Sequence, residues 1–109
     1  MVLLNQQVTV YREDGTRFVI PRCQFVLQKG YQVDINGQRL RHRFTLIAKA
    51  PVGLRPGDRV LPGIGPEQVD WQEFIPEKVD GLVTVGYVQP FFWAGKVSHV
   101  EAGGYYDRY

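Results

Sequence analysis

Gly81-Leu82-Val83-Thr84-Val85-Gly86-Tyr87-Val88-Gln89, followed by Pro90-Phe91-Phe92-Trp93-Ala94-Gly95 and by Lys96-Val97-Ser98-His99-Val100-Glu101, is the stretch on which the fold turns. A hydrophobic strand over 81–89, an aromatic Pro/Gly turn over 90–95 and a return strand over 96–101 describe a β-hairpin that closes a small barrel. Gly103 and Gly104 come next, ahead of Tyr105, Tyr106, Asp107, Arg108 and Tyr109. Two glycines loosen the backbone, so the reading is a barrel domain over 1–104 that releases an exposed aromatic tail over 105–109. Such a tail suits burial by a neighbouring chain.

Upstream the dominant period is two. Val8 and Val10, then Phe18 and Ile20, alternate around Glu13-Asp14-Gly15-Thr16, an Asp-Gly hairpin signal. Beyond Pro21 a strand-like run over 23–29 reaches Gly30, and Asn36-Gly37 supplies a second turn. The clearest strand is 39–49. Leu40, His42, Phe44, Leu46 and Ala48 share one face, while Arg39, Arg41, Arg43, Thr45 and Ile47 share the other. Pro51 ends it, and Leu54-Arg55-Pro56-Gly57-Asp58-Arg59-Val60-Leu61 gives a Pro-Gly turn leading into a short strand. From Pro62 to Asp80 the pattern weakens into one long structured loop with a short helical turn over 68–74, and a loop of that length favours a functional or interface role. The chain therefore reads as mainly β, a small single-domain barrel or sandwich of six to seven strands with one long loop.

With 109 residues the chain makes one domain with an independent core, and 12 Gly with 7 Pro indicate many turns. A net charge of +2 names no polyanionic partner. Cys23 is the single cysteine, which leaves no internal disulfide and fits synthesis in a reducing cytoplasm. The first residues carry no signal-peptide pattern, and no apolar run is long enough to span a membrane as a helix, so a soluble protein is expected.

Candidate chemistry is sparse. His42 and His99 have no Cys or carboxylate at ligand spacing, so no metal site is expected. Gly63-Ile64-Gly65-Pro66 lacks the lysine and following helix of a phosphate cradle, and Cys23 has no activating surroundings in sequence. Glu67, Asp70, Glu73 and Glu77 are spaced for exposure and read as an acidic surface rather than an acid–base pair. No catalytic residue, cofactor or metal is expected. Interaction residues are easier to name. The Arg39, Arg41, Arg43 face has three readings: a solvated surface, a dock for an acidic protein, or a contact to DNA phosphate. Trp71, Phe91, Phe92 and Trp93, with Tyr105, Tyr106 and Tyr109, are the candidate interface aromatics, since a hairpin tip seldom buries three rings in its own small domain.

The order of an N-terminal Val8-Thr9-Val10-Tyr11 strand, a basic middle strand, Leu54-Arg55-Pro56-Gly57-Asp58-Arg59-Val60-Leu61-Pro62-Gly63-Ile64, Leu82-Val83-Thr84-Val85-Gly86-Tyr87-Val88 and Val97-Ser98-His99-Val100-Glu101-Ala102-Gly103-Gly104 resembles small structural proteins of tailed bacteriophages. It is similar to their head-completion, stopper or minor capsid proteins, although Val100 stands where a tryptophan is usual near the terminal histidine. The resemblance implies a homo-oligomeric β-barrel ring in the virion at the head–tail junction. Portal or adaptor proteins would lie on one side and tail or tail-terminator proteins on the other. Such a ring retains packaged DNA, has no enzymatic activity or cofactor, and does not involve a membrane. Ile64, Glu67 and Asp70 are then candidates for a loop facing the channel. An acidic loop and an arginine face are also complementary between subunits. A nucleic-acid-binding barrel of the OB type is the alternative, because basic strands and exposed aromatics also serve single strands.

Overall fold

The computed structural model describes residues 6–34, 37–49, 53–76 and 78–107, of which 28–34, 37–42, 93, 97 and 105–107 are described by their backbone. Seven antiparallel strands form one sheet: β1 (Gln6–Tyr11), β2 (Arg17–Asp34), β3 (Gly37–Lys49), β4 (Arg59–Pro62), β5 (Val83–Thr84), β6 (Tyr87–Trp93) and β7 (Lys96–Asp107). Their spatial order is β5-β4-β1-β2-β3-β7-β6. This is the small, single-domain, all-β architecture that the alternation predicts, curled into a half-barrel.

The connectivity itself enforces the curl. Strands β5 and β6 lie at opposite ends of the order, yet only Val85 and Gly86 separate them in the chain. A few residues reach only ~10 Å, so the two ends of the sheet have to meet. They do so at Gly86, whose N–H donates to the Gly103 carbonyl at 2.8 Å. The single strand expected over 81–89 is thus two strands joined by a corner.

Strand β2 supplies the rest of the curvature. Eighteen extended residues would span ~60 Å, longer than the 48 Å long axis of the molecule, so β2 has to bend. Its first part pairs with β1 up to Gln6↔Cys23, and from Cys23↔Ala48 onward it pairs with β3. The register slips where Gln7 faces both Pro21 and Arg22. Pro21 lacks an N–H and sits at this bulge, where the ladder does not need one. Proline here redirects the strand instead of ending it. The β2–β3 ladder continues to Asp34↔Gly37; the turn residue Asn36 and the terminator Pro51 lie outside the described residues. In the β1–β2 turn Gly15 takes φ +94, and hydrogen bonds from Thr16 hold the Asp14 carboxyl below the usual carboxylate range.

Two cores sit on the two faces of β1. Val8 and Val10 point inward to a main core with Ile20, Phe25, Phe44, Leu46, Val60, Val83, Val85 and Ala102. Thr9 and Tyr11, the alternate positions, are buried on the other side, where Tyr11 joins Phe74 and Leu82 with Leu61, Val69, Trp71 and Val79 packed around them. The segment between β4 and β5 is therefore a second layer over β1 and β4. Its helical turn is present as Phe74 N–H to Asp70 carbonyl, 2.8 Å.

Cys23 is fully buried in the main core, and burial pushes its thiol from an ordinary 9.0 up to about 11. A folded pKa above the unfolded one means that its contribution to stability is complete below 9.0 and is lost as pH climbs through about 11. We expect no reaction with a disulfide reagent at about pH 8 in the folded protein and full reaction on unfolding. Fast labelling of the native state would show that the site opens.

The C-terminal glycines do the reverse of what their sequence suggests. Strand β7 runs through them to Asp107, with Phe44↔Gly104, Arg43↔Tyr105, His42↔Tyr106 and Arg41↔Asp107 paired to β3. Gly103 and Gly104 are buried at the seam, so Tyr105 and Tyr106 begin no detached tail; Tyr109 lies outside the described residues. The aromatic hairpin tip is likewise corrected. Pro90, Phe91, Phe92 and Trp93 belong to β6, and the turn is Ala94-Gly95 alone, with φ 52 and 78. Positive φ at both central residues is the turn geometry that matches strand twist.

Candidate functional site

Register places nine residues in three rows across the outer face of β3, β7 and β6. The rows are Thr45–Gly103–Tyr87, Ile47–Glu101–Gln89 and Lys49–His99–Phe91. Directly paired residues share a face, and the intervening positions Phe44, Leu46, Ala48, Val100 and Ala102 are buried in the core. Arg43 extends the face along β3 and is exposed.

Local chemistry holds the aromatics in place. Tyr87 lies across Gly103: a Cβ there would stand 2.7 Å from the Tyr87 hydroxyl and 2.8 Å from its Cε1. The ring covers the backbone that glycine leaves bare, and Tyr87 remains 43% exposed. Phe91 stacks on His99 with centroids 4.7 Å apart and planes 10° from parallel. Ser98 is the extra residue of a β-bulge, its hydroxyl donating to the Phe91 carbonyl at 3.2 Å. The bulge breaks the pairing between Phe91 and Phe92 and leaves Phe92 67% exposed. Arg43, Thr45, Tyr87 and Glu101 line a cleft of about 220 Å³ on this face.

Of the expected interface residues, Arg43 and Phe91 lie at opposite ends of this face, and Phe92 follows Phe91 in β6. Arg41 lies between Gly30 of β2 and Asp107 of β7, and Arg39 is paired with Gln32 beyond the end of the β7 ladder. Tyr105 and Trp93 are placed by register opposite Arg43 and Lys96, and Tyr106 opposite His42. Trp71 is elsewhere, half-buried in the second core under Arg59. The Arg59 guanidinium sits 3.7 Å from its ring centroid and donates to the Trp71 and Phe74 carbonyls, 2.7 Å for the latter. Sequence reasoning missed Tyr87, Gln89, Lys49, His99 and Glu101 as members of one face. The spacing of Tyr87, Gln89 and Phe91 carries the signal, and it is lost once Pro90 is taken to begin a turn.

The loop with Ile64, Glu67 and Asp70 is held by its backbone. Thr9, fully buried, donates its hydroxyl to the Gly63 carbonyl at 2.8 Å and accepts from Gly65 N–H at 3.0 Å. Tyr11 donates to the Pro66 carbonyl at 2.7 Å, and Arg17 donates to the carbonyls of Pro66 and Gly65 at 2.9 and 2.7 Å. Gly65 has no room for a Cβ, which would collide with the Tyr11 hydroxyl and lie 2.9 Å from Leu61 Cδ2. These bonds point the carbonyls inward and leave Ile64 67% exposed at the apex, with Glu67, Gln68, Asp70 and Glu73 on the surface. Such a loop presents a fixed shape. Glu77 lies outside the described residues.

Among the described residues no three or more His, Cys, Asp and Glu side chains gather as a metal site, and no helix is long and apolar enough to cross a membrane. No known protein family, curated protein or solved structure matches the chain.

Proposed function

We propose that this protein is a non-enzymatic structural subunit of a tailed-phage virion, forming a homo-oligomeric ring of the stopper or head-completion type at the head–tail junction. The observation that carries the reading is a pair of unlike rigid surfaces on one small domain: the aromatic and basic face of β3, β7 and β6, and the acidic loop between β4 and β5. A closed ring is built from heterologous contacts, in which each subunit offers two different surfaces to its neighbours. A curled sheet with its ends joined is stiff enough to hold both in fixed relation. The phage assignment comes from the resemblance in strand and turn order described above.

On this reading the protein is made in the host cytoplasm and incorporated between portal or adaptor and tail, retaining packaged DNA. Electron microscopy of particles lacking this protein tests it: DNA-filled or leaking heads without tails are expected, with the protein present in wild-type particles. Normal tailed particles without it would end the proposal.

One observation favours a second reading. Tyr87 and Phe91 lie on a strand face flanked by Arg43 and Lys49, the arrangement by which OB-type barrels stack single-stranded bases. Glu101, in the middle row, opposes a phosphate backbone on the same face. Salt-dependent binding of a single-stranded oligonucleotide would support this alternative.

A further inference from the structure

We infer that the outer face of β3, β7 and β6 is the dock for the acidic β4–β5 loop of a second copy of this chain. The inference deepens the ring reading by naming the two surfaces that mate, and it rests on that reading.

Charge complementarity selects the occupant. Strand β3 carries Arg39, Arg41, Arg43 and Lys49 and no carboxylate. Of these, Arg43 and Lys49 are exposed on the face that Thr45 and Ile47 share, away from the core. Residues 66–80 carry Glu67, Asp70, Glu73, Glu77 and Asp80 against the single cation Lys78. The two surfaces stand on different strands of one subunit. The loop is fastened to β1, β2 and β4 through Thr9, Tyr11, Arg17 and Arg59, whereas the basic face lies on β3 and its β7 and β6 neighbours. A neighbouring copy can bring them together.

Shape and preorganisation agree with charge. The loop spends its carbonyls on inward bonds, so its surface is side chains held at fixed spacing, and little ordering remains to be done on docking. Its apolar apex Ile64 and the exposed rings of Tyr87 and Phe91 give each surface an apolar element beside its charges. That combination of an apolar centre with a charged rim is the usual anatomy of a protein interface. A nucleic acid would match the cations of this face but would leave the acidic loop and its apolar apex Ile64 without a partner.

The test is a charge-swap cycle on the full chain, read by sedimentation velocity against concentration and salt, with circular dichroism confirming the fold of each variant. Arg43→Glu with Lys49→Glu, and separately Glu67→Lys with Asp70→Lys, should each weaken self-association about tenfold or more. Mixing the two variants should restore association, because each supplies the surface that the other has inverted. Assembly that is indifferent to both swaps, or variants that do not complement, would overturn the inference and leave the ring reading standing. A wild-type chain that stays monomeric at every concentration would overturn both. Oligonucleotide binding lost in Arg43→Glu/Lys49→Glu, with no self-association, would assign the face to nucleic acid.

Discussion

Asp58→Ala is expected to destabilise the protein by about 3–5 kcal/mol, enough to lower the melting temperature by more than ~10 °C. Asp58 is 1% exposed, and its carboxylate accepts from Arg12 Nε and a terminal Arg12 nitrogen at 2.8 Å each and from Arg55 N–H at 2.9 Å. The same guanidinium donates to the Gly53 carbonyl at 2.8 Å. The Asp58 backbone is committed too, its carbonyl accepting from Val85 N–H at 2.8 Å, while neighbouring Gly57 donates to Val85 at 2.8 Å. One residue thus ties the end of β1, the turn before β4 and the corner between β5 and β6. Removing the carboxylate leaves the partly exposed Arg12 guanidinium without its two-pronged acceptor and frees the Arg55 N–H. The bond from Asp58 raises the Arg12 pKa, so the guanidinium keeps its charge throughout the ordinary pH range. Arg12→Lys should recover only part of the stability of Arg12→Ala, because an ammonium cannot reproduce the two-pronged contact. Urea unfolding of the three variants decides the matter. A loss below about 1 kcal/mol for Asp58→Ala would mean that the buried pair contributes little, as happens when desolvation cancels attraction.

Gly104→Ala should cost about 3 kcal/mol, at the upper end for inserting one methyl group into a packed site. Its Cβ would stand 2.8 Å from the Thr84 carbonyl oxygen, 3.0 Å from Gly86 N and 3.2 Å from Phe44 Cε1. Two of these are backbone atoms, one at the end of β5 and one in the corner that leads to β6, so relief requires the seam to open. Hydrogen exchange at the Gly86 amide, which donates across the seam to Gly103, should accelerate more than exchange in the β1–β4 ladder. Gly53 provides the contrast: its Cβ would meet nothing within 4 Å, and Ala there pays only for φ +68, about 1 kcal/mol. Equal losses at the two positions would refute the seam argument.

How much of this can be read from sequence depends on whether the deciding interaction is local. The Asp14-Gly15 hairpin and the alternation of Phe44, Leu46 and Ala48 against Arg43, Thr45 and Ile47 are local, and the structure has them as expected. Pro21 misleads because a bulge accommodates it only when β1 and β3 share β2 between them. Thr9 and Tyr11 look solvent-facing until the loop from 63 onward folds back over them, a contact more than fifty residues away in sequence. The glycines at 103 and 104 look like a hinge because close approach by Tyr87 on one side and β5 on the other leaves no local trace. The candidate face fails to emerge for a related reason, since three strands contribute to it and the register alone puts Lys49, His99 and Phe91 in one row.

The place of β7 has a consequence for synthesis on the ribosome. Residues 99–107 supply the second neighbour of β3, so a nascent chain that has already made Phe44 and Leu46 holds one long hydrogen-bonding edge uncovered until β7 emerges, about fifty residues later. Closure then waits for β7, and translation that stops before this strand is made should yield an aggregation-prone product rather than a slightly shorter protein. Cellular quality control, more than activity, would be the first to register a lesion in the codons for β7.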